Sequence, residues 1–413
     1  MINCFYDCYS VLNKVYSEKA FIKQALSSTL IEEKNRALTI KICYGVLDRD
    51  LELSYYIKHL TTKSPKSVIR TILKISMFAI KYLNKKEFAV TKNAVELVKK
   101  LGKGGMSGFV NAFLRKFIAT DIPLPTDKIE NISIKYSYPK FVVEELVNVY
   151  GVEKAEKILE FQKVQTALSF YQSGAEEYLN SRKVNFTKST FDNVYLTENF
   201  VRDSKYDQGF YTYQALGSVA ICEAVEPCKN LLDCCAAPGG KSVRLSYKCD
   251  KVTSWDIHPH RVELIKSYIA RMKRDNVTFF VHDAKVLDES LIDSFDAVLC
   301  DAPCSGLGVA NDNPDIKLNR TKDDIVSLNN EQKQILSTVS KYVKVGGYLY
   351  YSTCSILKQE NSEIVKDFLE NNDNFVCEKI DSPLSHEYDL GLVFLPDISG
   401  GLGFYMSKLK RIK

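Results

Sequence analysis

Asn230-Leu231-Leu232-Asp233-Cys234-Cys235-Ala236-Ala237-Pro238-Gly239-Gly240-Lys241-Ser242 reads as a short buried strand that runs through a glycine turn into a helix. Glycines there let the backbone approach a ligand, and the helix N-terminus that follows favours a polar group. C-terminal to this stretch, apolar runs alternate with helical patterns. Strands are expected near 230–234, 252–256, 277–281, 295–300 and 347–352, with helices such as His260 to Arg274 and Leu328 to Val343 between them. That alternation predicts a doubly wound parallel sheet, an α/β fold of Rossmann-like type. Two last strands, near 375–380 and 403–409, lack a helix-length crossover and are expected to form an antiparallel edge.

N-terminal to it the pattern is different. Ser67 to Leu83 places Val68, Ile69, Ile72, Leu73, Ile75, Ile80 and Leu83 at helical spacing. Ala89 to Leu101 is a second expected helix, closed by Gly102-Lys103-Gly104-Gly105, and Phe109 to Phe117 a third. Pro123 and Pro125 then punctuate the chain. Residues 126–165 again read as helical, with a turn at Gly151. Residues 166–225 are mixed, with short strand-like runs at Ala167 to Tyr171, Lys183 to Phe186 and Asn193 to Leu196. The expected organisation is an all-α domain over 1–122, a helical linker with a small mixed α/β subdomain over 126–225, and the sheet domain over 226–413.

With 413 residues, 45% hydrophobic and 26% charged, the chain has ample material for two or three soluble domains. No apolar run reaches the length of a membrane span. Met1 to Ser10 lacks a basic stretch leading into an apolar one, so no secretory signal is expected and a cytoplasmic protein is. The 12 cysteines include no Cys-x-x-Cys pair, which argues against a thiolate zinc site; no metal is expected. Cys4 and Cys8, four apart on an expected helix, read as core residues. Residues 1–125 hold 21 Lys+Arg against 10 Asp+Glu, whereas the remainder holds 35 against 41. A basic first domain on a mildly acidic second one suggests that the first handles phosphates, although a solvated lysine-rich face has the same composition.

Gly240-Lys241-Ser242 matches the end of a Walker A loop, but Cys235 stands where that motif needs glycine and Pro238 removes an amide donor from a phosphate cradle. The next strands end in Trp255-Asp256 and His282-Asp283-Ala284. An acid at the first can accept both hydroxyls of a ribose, and one at the second can accept an adenine amino group. Acids at successive strand ends favour an adenosine cofactor without phosphates, and S-adenosylmethionine fits. Each acid alone could merely cap the next helix.

Two further strands end in Asp301-Ala302-Pro303-Cys304-Ser305-Gly306 and Tyr351-Ser352-Thr353-Cys354-Ser355. Thiols at strand ends beside a methyl-donor site suggest methylation of a pyrimidine ring carbon. Carbon 5 of a pyrimidine is a poor nucleophile until a thiolate adds to carbon 6. An ordinary thiol is only a few per cent ionised at pH 7, so the site must activate it, and Lys241 is a candidate positive neighbour. Asp301 is placed to meet the N3–N4 edge of cytosine.

In combination these motifs resemble the RsmB/Sun family of RNA 5-methylcytosine methyltransferases, as do Asn361 after Gln359-Glu360 and the ending Gly403-Phe404-Tyr405-Met406. The stretch Arg36 to Lys116, with Gly108-Phe109-Val110-Asn111-Ala112-Phe113-Leu114-Arg115, is similar to the NusB-like helical RNA-binding domain of the bacterial branch. The resemblance implies that Cys354 is the nucleophile, that Cys304 assists release, and that Lys241 and Asp301 complete the catalytic set. It implies cofactor contacts from Cys235, Ala236, Ala237, Pro238, Gly239, Gly240, Lys241, Asp256, Arg261, Asp283, Ala284 and Asp301. The implied substrate is a cytosine of small-subunit (16S) ribosomal RNA, position 967 in the branch it resembles, flipped into the pocket of a monomer. A Pro-Cys nucleophile, as in DNA enzymes, would make Cys304 the attacker instead. A transfer-RNA substrate and a non-catalytic RNA-binding or assembly role are the alternatives. The sequence departs from the family at Gln165 to Tyr171, at Gln214-Ala215, at Asn311-Asp312 and at Leu402.

Overall fold

The computed structural model describes residues 2–161, 165–198 and 200–413. They form two compact units, Met1–Glu160 with Asp312–Thr321, and Phe161–Asn311 with Lys322–Lys413. Among the described residues no helix is long and apolar enough to cross a membrane.

The first unit is helical: α1 (Ile2–Glu18), α2 (Ile22–Ser27), α3 (Glu33–Asp48), α4 (Asp50–Leu60), α5 (Ser67–Lys81), α6 (Glu87–Lys100), α7 (Ser107–Ala119), α8 (Lys128–Tyr136), α9 (Lys140–Tyr150) and α10 (Val152–Glu160). The expected helices at 67–83, 89–101 and 109–117 are α5, α6 and α7. The helical run expected to 165 ends at Glu160, and residues 162–164 of it lie outside the described residues. Cys4, Cys8, Val11 and Leu12 of α1 and Cys43 and Val46 of α3 are buried in one core with Ile69, Ile72, Leu73 and Ile75 of α5. From Ile69 to Ala79 only Arg70 of α5 is exposed, as befits a central helix.

Residues 312–321 belong to this unit although the sequence places them after Cys304. They carry a helical turn, Ile316–Asn319, whose Lys317 is buried. Its Nζ donates to Asp48 Oδ1 at 2.7 Å and to the Tyr136 carbonyl at 3.2 Å. Burial holds the Lys317 ammonium below its ordinary pKa while Asp48 opposes that shift.

The second unit starts with a small antiparallel sheet of β1 (Thr166–Phe170), β2 (Phe186–Lys188), β3 (Val194–Thr197) and β4 (Tyr211–Tyr213), in the order β2-β3-β1-β4. Phe170, Tyr195 and Tyr211 form its core with Leu168 and Leu179. The strand expected at Lys183 begins only at Phe186. Lys183 takes a left-handed conformation (φ 53°) and closes the helix Ala175–Ser181, and Val184 N donates back to Leu179 O.

The main sheet holds β5 (Asn230–Asp233), β6 (Lys251–Asp256), β7 (Val277–Val281), β8 (Phe295–Asp301), β9 (Val343–Thr353), β10 (Phe375–Glu378), β11 (His386–Tyr388), β12 (Gly391–Phe394) and β13 (Phe404–Arg411). Its order is β11-β12-β13-β9-β8-β5-β6-β7, with β10 also on β13. Strands β9, β8, β5, β6 and β7 are parallel. The chain progresses outward through β6 and β7 on one side of β5, then through β8 and β9 on the other. The switch point therefore lies between β5 and β8, where open α/β sheets bind ligands. The expected antiparallel pairing of the last strands holds, β10 lying on β13 from Phe375↔Arg411 to Glu378↔Lys408, and only β13 departs from an edge position. β13 is internal, pairing β9 along Tyr405–Lys410 and β12 along Phe404–Met406. The apolar run opening Phe404–Arg411 specifies a strand, not the neighbours it takes.

Candidate active site

The turn after β5 brings the loop to the switch point. Gly239 caps the helix Gly240–Leu245 at φ 103°, and a Cβ there would lie 3.2 Å from Ile265 Cα, so glycine meets both the backbone conformation and the close approach. Asp233 is buried; Ser242 Oγ donates to its Oδ2 at 2.6 Å and Ser254 Oγ lies 2.9 Å from Ser242 Oγ. Burial pushes the Asp233 carboxyl up to about 7, against the Ser242 hydrogen bond. In the unfolded chain it ionises near 4, so between about pH 4 and 7 the folded state holds the extra proton. Its contribution to stability therefore falls as pH rises through that window and is level above it. Asp233→Asn is expected to gain stability relative to the native protein from pH 5 to 7, by at most about 1.4 kcal/mol per pH unit. Thermal melts of both proteins across that range check this; parallel curves would contradict it.

Lys241 Nζ pairs with Asp301 Oδ2 at 2.7 Å, and Ser352 Oγ donates to Asp301 Oδ1 at 2.8 Å. Burial acts to lower the Lys241 pKa, but the Asp301 carboxylate outweighs it and holds the ammonium above its ordinary value. Lys241 also interacts electrostatically with Cys354. The Cys304 and Cys354 Sγ atoms lie 3.3 Å apart, both partly buried and both free thiols. The Cys354 hydrogen bond and burial drive the Cys304 thiol well above its usual pKa. The loops that carry them touch: Gly308 N donates to Cys354 O at 2.9 Å and Gly403 N to Gly308 O at 2.6 Å. A Cβ on Gly308 would fall 2.1 Å from the Gly403 carbonyl.

On the other side of the switch point, Asp256 is buried at the end of β6. Its Oδ1 accepts from His258 N at 3.1 Å, and Arg261 Nη1 stands 3.4 Å from Oδ2. Arg261 Nη2 also donates to Ala237 O at 3.3 Å, tying that strand end to the glycine loop. Asp283, at the end of β7 beside buried Ala284, accepts from Lys285 N at 3.0 Å. Ala236 N donates to Trp255 O at 2.7 Å, fixing the loop Cys235-Ala236-Ala237-Pro238 against β6. Each acid accepts from the backbone N–H two residues on, closing an Asx turn, and each keeps acceptor capacity for a ligand. The donor set fits an adenosine sulfonium and not a nucleoside triphosphate, because Lys241 is committed to Asp301 and Pro238 lacks an N–H.

Sequence reading missed a buried group beneath the cysteines: Glu360, Gln332, Ser305 and Ser355. The available signals were the repeated Cys-Ser pair, 304–305 and 354–355, and the Gln359-Glu360-Asn361 stretch.

In the first unit a cavity of about 680 Å³ is lined by Tyr16, Lys19, Asp50, Lys58, Arg70 and Lys74, among hydroxyl residues. Asp50 is engaged by Lys74 and Tyr16, each at 2.6 Å. Lys19, Lys58 and Arg70 are exposed and make no salt bridge among the described residues.

A parallel sheet with this switch-point loop and these strand-end acids defines an S-adenosylmethionine-dependent methyltransferase. Residues 221–410 match the 16S rRNA methyltransferase RsmB/F family and residues 8–119 match the NusB family. The "Probable ribosomal RNA small subunit methyltransferase B" of Bacillus subtilis (strain 168) is 29% identical over 97% of this chain and 95% of its own. The "Ribosomal RNA small subunit methyltransferase B" of Proteus mirabilis (strain HI4320) is 27% identical over 93% and 96%. Among solved structures, the crystal structure of PH0851 superposes on 100% of this chain and 99% of its own, with TM-score 0.83 at 19% identity. That of NSun6 from Pyrococcus horikoshii with SFG covers 67% and 98%, with TM-score 0.60 at 18%. The two matches together describe a NusB-family domain followed by a methyltransferase domain of RsmB/F type.

Proposed function

We propose that this protein methylates carbon 5 of a cytosine in small-subunit ribosomal RNA, in the cytoplasm, through a covalent Cys354 adduct. The observation that carries the reading is the pair of thiols 3.3 Å apart beside the Lys241–Asp301 ion pair. The names of the Bacillus and Proteus relatives support the ribosomal substrate, and cytosine 967 of 16S RNA is the position favoured by the family resemblance.

S-adenosylmethionine, held by the loop Cys235–Lys241 with Asp256, Arg261, Asp283 and Ala284, supplies an electrophilic methyl group. The chain's residues prepare the ring to receive it. Cys354, as thiolate beside the Lys241 ammonium, forms a sulfur–carbon bond at C6. Asp301 holds the N3–N4 edge, and the Lys241 proton compensates the charge that the addition delivers to N3. Carbon 5 thereby becomes enamine-like and nucleophilic. After methylation the C5 proton passes to solvent as base, its bonding electrons re-form the C5–C6 double bond, and the Cys354–C6 bond breaks with its electrons returning to sulfur. The Cys304 S–H stands within hydrogen-bond distance to receive the departing thiolate.

Incubating the protein with 16S RNA transcript and S-adenosylmethionine tests this, with nucleoside analysis of the product. Accumulation of 5-methylcytidine is expected. Methylation at another atom or base would overturn the mechanism.

The first unit is proposed to grip RNA phosphates through its excess of basic residues, with Lys58 and Arg70 at the cavity among them. Lys58→Ala with Arg70→Ala is expected to make the log–log dependence of affinity on salt shallower by about 1.4, near 0.7 per lost phosphate contact on a single strand. Fluorescence anisotropy with a labelled oligoribonucleotide at several salt concentrations reads that slope. An unchanged slope would remove these two residues from the interface.

A further inference from the structure

The two cysteines share a buried partner that the reaction itself does not use. Glu360 is 0% exposed and follows the Cys354 loop in a short 3-10 turn, Lys358–Glu360. Its Oε2 accepts from Ser305 Oγ and from Ser355 Oγ, each at 2.5 Å. Its Oε1 accepts from Ser305 N at 2.7 Å and from Gln332 Nε2 at 3.3 Å. Ser305 follows Cys304 directly, and Ser355 follows Cys354. The same Gln332 amide donates to Pro303 O at 2.9 Å, on the other side of Cys304. The neighbouring Asn361 clasps Cys354 from both flanks: Thr353 Oγ1 donates to its Oδ1 at 2.5 Å, and its Nδ2 donates to Ser355 O at 3.1 Å. Tyr351 OH secures the Glu360 carbonyl at 2.7 Å.

Burying a carboxylate is costly unless several donors satisfy it, and here four donors do. Two of those donors are hydroxyls on separate loops, so the group acts as a strut: neither loop can shift without breaking a charge-assisted bond. We propose that Glu360 is a positioning residue that locks the Cys304 and Cys354 loops in mutual register and, through its negative charge, makes the two thiols chemically unequal. This rests on the cysteine roles given above. The charged and titratable groups around Cys304 are Cys354, Glu360 and Tyr351, and Glu360 is the carboxylate that acts on it. Glu360 works to keep Cys304 protonated, after the larger effects of the Cys354 contact and burial. Cys354 has the Lys241 ammonium as its electrostatic partner. Release is served by a sulfur that keeps its proton, and attack by a sulfur with a cation beside it.

The test uses the full-length protein and Glu360→Gln, which keeps the shape and removes the charge. Alkylation of each cysteine by iodoacetamide, mapped by peptide mass spectrometry across pH 6–10, reads the Cys304 titration without RNA. Its alkylation rate at each pH below the midpoint is expected to rise about tenfold, and kcat on 16S RNA to fall at least tenfold with KM for S-adenosylmethionine unchanged. A Cys304 profile superimposable on the native one, with native kcat, would overturn the proposal. If Glu360→Gln does not fold, Ser305→Ala with Ser355→Ala keeps the charge and cuts the strut; native kcat in that protein would overturn the positioning role. Failure of the cysteine roles is a separate result, since it would be seen as activity in Cys354→Ala while the alkylation profile still reports on Glu360.

Discussion

Replacing Cys354 with alanine is expected to lower methyl transfer at least about a thousand-fold, equivalent to some 4 kcal/mol of lost transition-state stabilisation. The reason is chemical: without addition at C6, carbon 5 of cytosine has no enamine character, and no other group in the site forms that bond. Cys304 lies only 3.3 Å from Cys354 but is held as a thiol well above its usual pKa, so it is a poor substitute nucleophile. The substitution removes a single partly buried sulfur. Folding and binding of S-adenosylmethionine should persist, and single-turnover assays with calorimetry of the cofactor separate these effects. Full activity in Cys354→Ala would transfer the nucleophile's role to Cys304.

Cys304→Ala is expected to have a different and equally large consequence. Addition and methylation need Cys354, Lys241 and Asp301, all retained. Release needs the bond between Cys354 and C6 to break, and the group within hydrogen-bond distance of that sulfur is gone. Protein should accumulate as a covalent RNA conjugate that survives denaturing electrophoresis, with one methyl per trapped chain and turnover stopped after the first cycle. Digestion should leave a methylated nucleotide on the Cys354 peptide. Multiple turnover without conjugate would exclude Cys304 from release.

The parts of the fold that are local in sequence were legible. Asn230 to Ser242 gave strand, turn and helix, and the alternation after it gave five parallel strands close to their observed bounds. The Lys241–Asp301 and Cys304–Cys354 pairs join residues that had each been singled out by motif, because adjacent parallel strands deliver their carboxyl ends to one place. What stayed hidden depends on distant partners. β13 reads as a strand, but its insertion between β9 and β12 is decided by pairing. Lys317 in an unremarkable polar stretch gives no sign that Asp48 will bury it in the helical unit. Gln359-Glu360-Asn361 is legible as part of the family pattern, but not that two serines from separate loops close on Glu360.

The most direct test of the central claim is bisulfite sequencing of ribosomal and transfer RNA from cells with and without this gene. Loss of one 5-methylcytosine from small-subunit ribosomal RNA, restored by the native protein but not by Cys354→Ala, is the predicted result. Loss of a transfer-RNA mark, or no loss in either pool, would contradict it.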